Sequence, residues 1–219
     1  MKKRKLKPFY LLIFLIWGSV ISGCSLLGKK RPVHLAHSKM KKIVVLPFAS
    51  YQDTEKLPIL FSEGGIITNK ITPHVLKTMD YLLEEELSQV KSSIHFFFLS
   101  ERSYEALLED ALNRSKNPAE VVKYIAQKTS ADGILCGKVF RFRERQGSAI
   151  SIKSPASVAF VLVLYDGKTG KVIWKEVFDE TQKPLNENLL NFSLYGKIAW
   201  LKAEELAQRG FHRIIEAHF

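Results

Sequence analysis

The chain has 219 residues, 46% of them hydrophobic, and a formal net charge of +11 from 33 Lys and Arg against 22 Asp and Glu. That length suits one good-sized domain with a single core, and two full domains would be cramped. The charge invites a nucleic-acid reading, but residues 1–42 hold eleven Lys or Arg and no acid, so from Ile43 onward 22 bases balance 22 acids. A neutral domain lacks the basic footprint that a phosphate backbone demands, and no nucleic-acid partner is expected.

Lys2, Lys3, Arg4, Lys5 and Lys7 form a basic n-region, and Phe9 to Ile16 an apolar h-region, as in a secretory signal. The apolar run is shorter than the ~20 residues of a spanning helix, and Gly18, Ser19, Ser22 and Gly23 weaken its distal end. Ile21-Ser22-Gly23-Cys24 resembles the lipobox of bacterial lipoproteins. The resemblance implies that residues 1–23 are a signal peptide and that Cys24 becomes the first residue, bearing a diacylglyceryl thioether and an acylated amino group. Each buried methylene contributes about 0.8 kcal/mol, so more than one chain anchors stably. Ser25 stands where inner-membrane lipoproteins of enteric bacteria commonly carry Asp, which favours the outer membrane and a domain facing the periplasm. Residues 24–41 then read as the lipidated Cys and a basic tether broken by Gly28 and Pro32. Fully extended, it reaches roughly 60 Å at ~3.3 Å per residue. Its bases either rest on anionic headgroups, at about 1 kcal/mol each, or simply keep a linker solvated. His34 and His37 lack the further ligands a metal needs.

The domain, residues 42–219, opens with the apolar run Lys42 to Phe48, a buried strand stopped by Pro47. Residues 50–74 form a long connection with Pro58, Gly64, Gly65 and Pro73, and loops of this length are often functional. No Lys-Ser or Lys-Thr pair follows Gly64 and Gly65, so this is no phosphate-cradling loop; the two glycines stay as candidate interaction residues. Leu76, Met79, Leu83, Leu87 and Val90 recur at helical spacing, with Glu84, Glu85 and Glu86 read as a solvated face. Ile94 to Leu99 reads as a second core strand. Tyr104, Leu107, Leu108, Ala111 and Leu112 stripe the next helix. Asn117-Pro118-Ala119-Glu120 supplies an N-cap, a proline at the first helical position and a capping-box Glu for the one after it.

Residues 133–145 read as a strand that places Phe140 and Phe142 on one face and Arg141, Arg143 and Arg145 on the other. The arginine row is either a site for an anionic group or acidic partner, or a solvated edge face. Cys136 reads as a small buried apolar residue, and with Cys24 committed to lipid no internal disulfide is expected. Ser157 to Tyr165 is apolar on both faces, hence a central strand. Asp166 to Gly170 forms a turn, and Lys171 to Phe178 returns with Val172, Trp174 and Phe178 in alternation.

The Ile-Val-Val-Leu-Pro-Phe strand from Ile43, the Ala-Asp-Gly-Ile-Leu-Cys-Gly-Lys-Val strand from Ala131 and the Asp-x-x-Thr-Gly-x-x-x-Trp hairpin from Asp166 together resemble a superfamily of envelope lipoproteins. It includes the curli secretion lipoprotein, the outer-membrane activator of penicillin-binding proteins and the N-terminal domain of TolB. The resemblance implies a single α/β domain, a mixed sheet of about five strands with helices packed on it, and no catalytic machinery. It transfers no partner, because these relatives bind different ones.

The polar stretch Asp179 to Asn188 departs from that superfamily's pattern. Asp179 and Glu180 are adjacent, so on an extended chain they face opposite ways and make no catalytic pair. Asn186 and Asn188 either cap and turn the chain or, with Gln182, meet a partner. Helices are expected at about 188–200 and 203–217, giving a helical C-terminus. Trp200, Phe211 and Phe219 either cover a sheet face or form an exposed patch. No zinc-type His and Cys spacing, no Gly-x-Ser-x-Gly elbow and no dinucleotide fingerprint occurs, so neither metal nor cofactor is expected. The sequence therefore points to a non-catalytic outer-membrane lipoprotein that binds and assembles or activates another envelope protein. The alternatives are a self-assembling subunit of a secretion or transport complex, and an envelope hydrolase of unrecognised type.

Overall fold

Period-two apolar strands and helices striped on one side combine in three layers, helices on both faces of one mixed sheet. The computed structural model describes residues 40–52, 65–147, 152–182 and 201–219, all within one compact unit. Cys24, the tether up to residue 39, Gly64, Asn186, Asn188, Trp200 and the helix expected at 188–200 lie outside the described residues. The elements run β1 (Lys42–Val45), β2 (Ala49–Ser50), α1 (Pro73–Ser88), β3 (His95–Phe98), α2 (Glu101–Arg114), α3 (Pro118–Thr129), β4 (Gly133–Arg143), β5 (Gln146–Gly147), β6 (Ile152–Ser154), β7 (Ser157–Asp166), β8 (Val172–Thr181) and α4 (Ala203–His218).

The main sheet has the order β3-β1-β4-β7-β8, with β2 also pairing with β4, and β5 and β6 form a separate ribbon. β1 is parallel to β3 and β4, whereas β4, β7 and β8 are successively antiparallel. Ile43, Leu135, Phe160, Leu162 and Phe178 point to a first face, where they pack on Met79, Leu83 and Leu87 of α1 and on Leu206, Phe211 and Ile215 of α4. Val44, Ile134, Cys136, Val161 and Val163 point to the second face and meet α2 and α3 through Tyr104, Leu108, Val122 and Ile125. Cys136 is 1% exposed and burial pushes its thiol pKa up, so it is core rather than nucleophile. Phe211 covers the first face, and Phe219 lies against Phe96 and Trp174.

Met40, the first described residue, is buried. The Asp132 carboxylate receives the Lys41 and Lys42 backbone N–H groups at 2.8 and 3.1 Å, and those two bonds hold its pKa down. Gly137 leaves room for the Phe48 ring, since a Cβ there would come within 2.2 Å of it. At Gly170 the backbone is left-handed (φ 68°) and a Cβ would meet the Ala119 carbonyl at 2.2 Å, so the Asp166–Gly170 turn requires glycine on two counts.

Three local expectations are corrected. Asn117 caps α3 by accepting the Ala119 N–H at 3.0 Å, but Glu120 pairs with Lys123 at 2.9 Å instead of closing a capping box. Val172 is 50% exposed, because a register shift between Leu164 and Tyr165 separates it from the face of Trp174 and Phe178. Glu84 is exposed as a solvated face requires, yet Glu86 is buried and its Oε1 lies 2.6 Å from His212 Nδ1 of α4.

That His212–Glu86 contact makes stability pH-dependent. The hydrogen bond to Glu86, then its charge, then Glu216 raise the His212 pKa. A raised folded pKa contributes stability fully present below the unfolded value and lost as pH rises through the folded one. In urea titrations His212→Gln should therefore lower the midpoint at pH 6 more than at pH 8.5. The shift is small because the imidazole is largely exposed.

Candidate interaction surface

Arg141 is the point where three distant stretches meet. Its Nε donates to Ser157 Oγ at 2.6 Å, its Nη1 to the Ile67 carbonyl at 2.8 Å, and its Nη2 to the Asp179 carboxylate. The end of the long connection, the arginine row and the polar stretch after Phe178 are thus joined through one guanidinium. This geometry follows from a β-bulge. Val139 pairs with Phe160 and Arg141 with Ala159, leaving Phe140 as an extra residue. The alternation expected over 133–145 is broken there: Phe140 packs on the second face and Phe142 on the first. β4 is also the middle strand of the sheet, not an edge. Arg141 is accordingly buried with a 6% exposed side chain, while Arg143 is exposed and Arg145 half-buried.

The neighbouring residues are equally well placed. Asn69 accepts the Phe142 N–H through Oδ1 at 2.8 Å and donates to the Phe142 carbonyl at 3.1 Å, fixing the segment that follows Gly65. Gly65 is exposed with φ 89°, and Ile67 is 74% exposed. Asp179 to Thr181 continue β8, and the two acids diverge as expected: Asp179 goes to Arg141, Glu180 to Arg213 of α4 at 2.7 Å. Gln182 Oε1 accepts the Leu201 N–H at 3.0 Å, and Glu144 Oε2 the Ala203 N–H at 3.2 Å, so both hold the start of α4.

Sequence reasoning did not single out Ser157, Asn69, Glu144 or Arg213. Each is an ordinary polar residue whose role depends on a partner at least 16 positions away. Ser157 is fully buried and its Oγ contacts Arg141 and Thr181 Oγ1, so it is a structural hydroxyl. Among the described residues no three His, Cys, Asp or Glu side chains are grouped to hold a metal ion. Nor is any described helix long and apolar enough to cross a membrane. What this end of the sheet offers is a rigid surface: Ile67 and Arg143 project from a network locked beneath them by Arg141 and Asp179.

No family model and no curated protein matches the sequence. Solved structures do resemble the fold. The PelC dodecamer from Paraburkholderia phytofirmans matches with TM-score 0.48 and 13% identity, over 81% of this chain and 86% of that one. Lipoprotein GNA1162 from Neisseria meningitidis matches with TM-score 0.37 and 14% identity, over 71% and 93%. The LpoB C-terminal domain from Escherichia coli matches with TM-score 0.37 and 11% identity, over 68% and 90%.

Proposed function

We propose that the chain is a lipoprotein of the bacterial outer membrane, anchored through Cys24. Its periplasmic domain binds and assembles or activates another envelope protein without catalysing a reaction. The observation that carries the reading is the convergence on Arg141. The end of the long connection at Ile67, Arg141 of the arginine row and Asp179, far apart in sequence, are tied together at one end of the sheet. Rigidity lowers the entropy lost on association. Exposed Ile67, whose carbonyl is held by Arg141, and exposed Arg143, two residues along the strand from Arg141, give that end of the sheet an apolar and a cationic contact, which suits a partner with an acidic rim. The basic tether and lipid hold the domain within a short radius of the membrane.

Photo-crosslinking residues introduced singly at Ile67, Arg143 and Thr181 test this in intact cells, with exposed Glu109 on α2 as the control. The expected result is one discrete adduct shared by the first three positions and absent from Glu109. An adduct at twice the chain's own mass would replace the heterologous partner with a second copy. The same adducts from Glu109, or none anywhere, would contradict the reading.

A further inference from the structure

β1 and β3 are parallel neighbours whose onward connections leave toward opposite faces, β1 by way of β2 to α1 and β3 to α2. Where such connections diverge, a crevice opens at the carboxyl ends of the strands, the usual place for a ligand in open α/β sheets. Here a cavity of about 350 Å³ fills the crevice. Leu46, Phe48, Leu76 and Phe98 give it apolar walls, and Asp80, Glu84 and Glu101 line it with carboxylates. Among the described residues Lys77 is the single cation of the lining, and it forms no ion pair with any of these three.

Asp80 is the group this cavity is built around. Its Oδ1 accepts the Phe48 N–H at 2.8 Å, and its Oδ2 has no hydrogen-bond partner among the described residues. Burial pushes its pKa up to about 6, with the charges of Glu101 and Glu84 adding to the rise. A carboxyl whose folded pKa is raised adds stability below its unfolded value that is lost as pH rises through the folded one. At neutral pH, then, ionised Asp80 works against folding. Phe48 would be as well served by an amide oxygen at that place, so the charge itself has no structural use.

We infer that this cavity binds a lysine side chain of a partner polypeptide, with the alkyl stem along the apolar walls and the ammonium at Asp80 Oδ2. Three carboxylates exclude an anion despite the nearby start of α2. At Asp80 an ammonium is favoured over a guanidinium, because one oxygen of this buried carboxylate is already taken and it offers no free fork for bidentate pairing. The inference rests on the protein being a binding module, but it concerns a different surface from the Arg141 network.

The test uses the mature lipidated chain in detergent micelles, with aspartate carboxyl groups labelled for NMR and Asp80 assigned through Asp80→Asn. The probes are the peptides acetyl-Ala-Ala-Xaa-Ala-Ala-amide with lysine, norleucine or arginine at Xaa. Lysine should shift the Asp80 resonance saturably and lower its pKa, and both other peptides should bind about tenfold more weakly. Asp80→Asn should raise the melting temperature at pH 7.5 and erase the preference for lysine over norleucine. A purely structural Asp80 would change stability and leave the preference untouched. Absence of saturation, equal binding of norleucine, or arginine binding as tightly as lysine would overturn the inference. These outcomes are independent of crosslinking from Ile67, Arg143 and Thr181, so either proposal can fail alone.

Discussion

Phe160→Ala is expected to lower the free energy of unfolding by about 3–5 kcal/mol, near the upper end for a single core truncation. Phe160 is fully buried in the middle of β7. Its ring stacks on Phe178 at 5.1 Å, lies 4.5 Å from Phe211 of α4 and meets Phe48 edge-on at 6.5 Å. One side chain therefore joins β8, α4 and the segment after β1. The neighbours have little freedom to collapse into the vacated space. α4 already sits as close as its backbone permits, since a Cβ on Gly210 would lie 2.8 Å from Phe178 and 2.9 Å from Phe160. The truncation should leave a cavity rather than a repacked core. Urea unfolding should show the loss as a lower midpoint with unchanged slope. A loss below about 1.5 kcal/mol would mean that the four rings are not packed as described.

The second large effect concerns the Arg141–Asp179 pair, where the two halves should be unequal. Asp179→Ala leaves a buried guanidinium without its counter-charge and should cost about 2–3 kcal/mol. That is below the 3–5 kcal/mol of fully buried pairs because the Asp179 side chain is 41% exposed and water can reach the gap. Arg141→Met removes the buried charge itself, keeps an unbranched stem in the same slot and frees Asp179 to turn to solvent, so it should cost less. Besides the Asp179 contact that both variants lose, it sacrifices the bonds to Ser157 and the Ile67 carbonyl. A double-mutant cycle by chemical denaturation gives both values. If Arg141→Met proves the more damaging, the guanidinium is held chiefly by those two bonds and not by its charge.

Much of this architecture was legible in the residues for physical reasons. β7 is apolar on both faces because helices cover both, and that pattern predicts a central strand. Asn117-Pro118 marks the start of α3 because cap chemistry is local. The opposite destinations of Asp179 and Glu180 follow from strand pleating alone. What escaped depends on partners remote in the chain. The bulge at Phe140 exists only in register with β7, so the pattern of 133–145 reads as unbroken alternation, with Arg141 in one row with Arg143 and Arg145, either binding an anionic group or acidic partner or forming a solvated edge face. Glu86 looks like one of three solvated acids until His212, 126 residues later, is placed beside it. Asp80 carries no local mark, being one acid beside the Met79 and Leu83 stripe. Its significance comes from the crevice between β1 and β3.

The most direct test of the account is the mass of the protein extracted from bacterial membranes, with Cys24→Ala beside it. Lipid anchoring at Cys24 requires a mature chain beginning at Cys24, heavier than its polypeptide by one diacylglyceryl group and one acyl group, and incorporation of labelled palmitate that Cys24→Ala abolishes. A membrane-extracted chain that still begins at Met1, or palmitate labelling undiminished in Cys24→Ala, would contradict it.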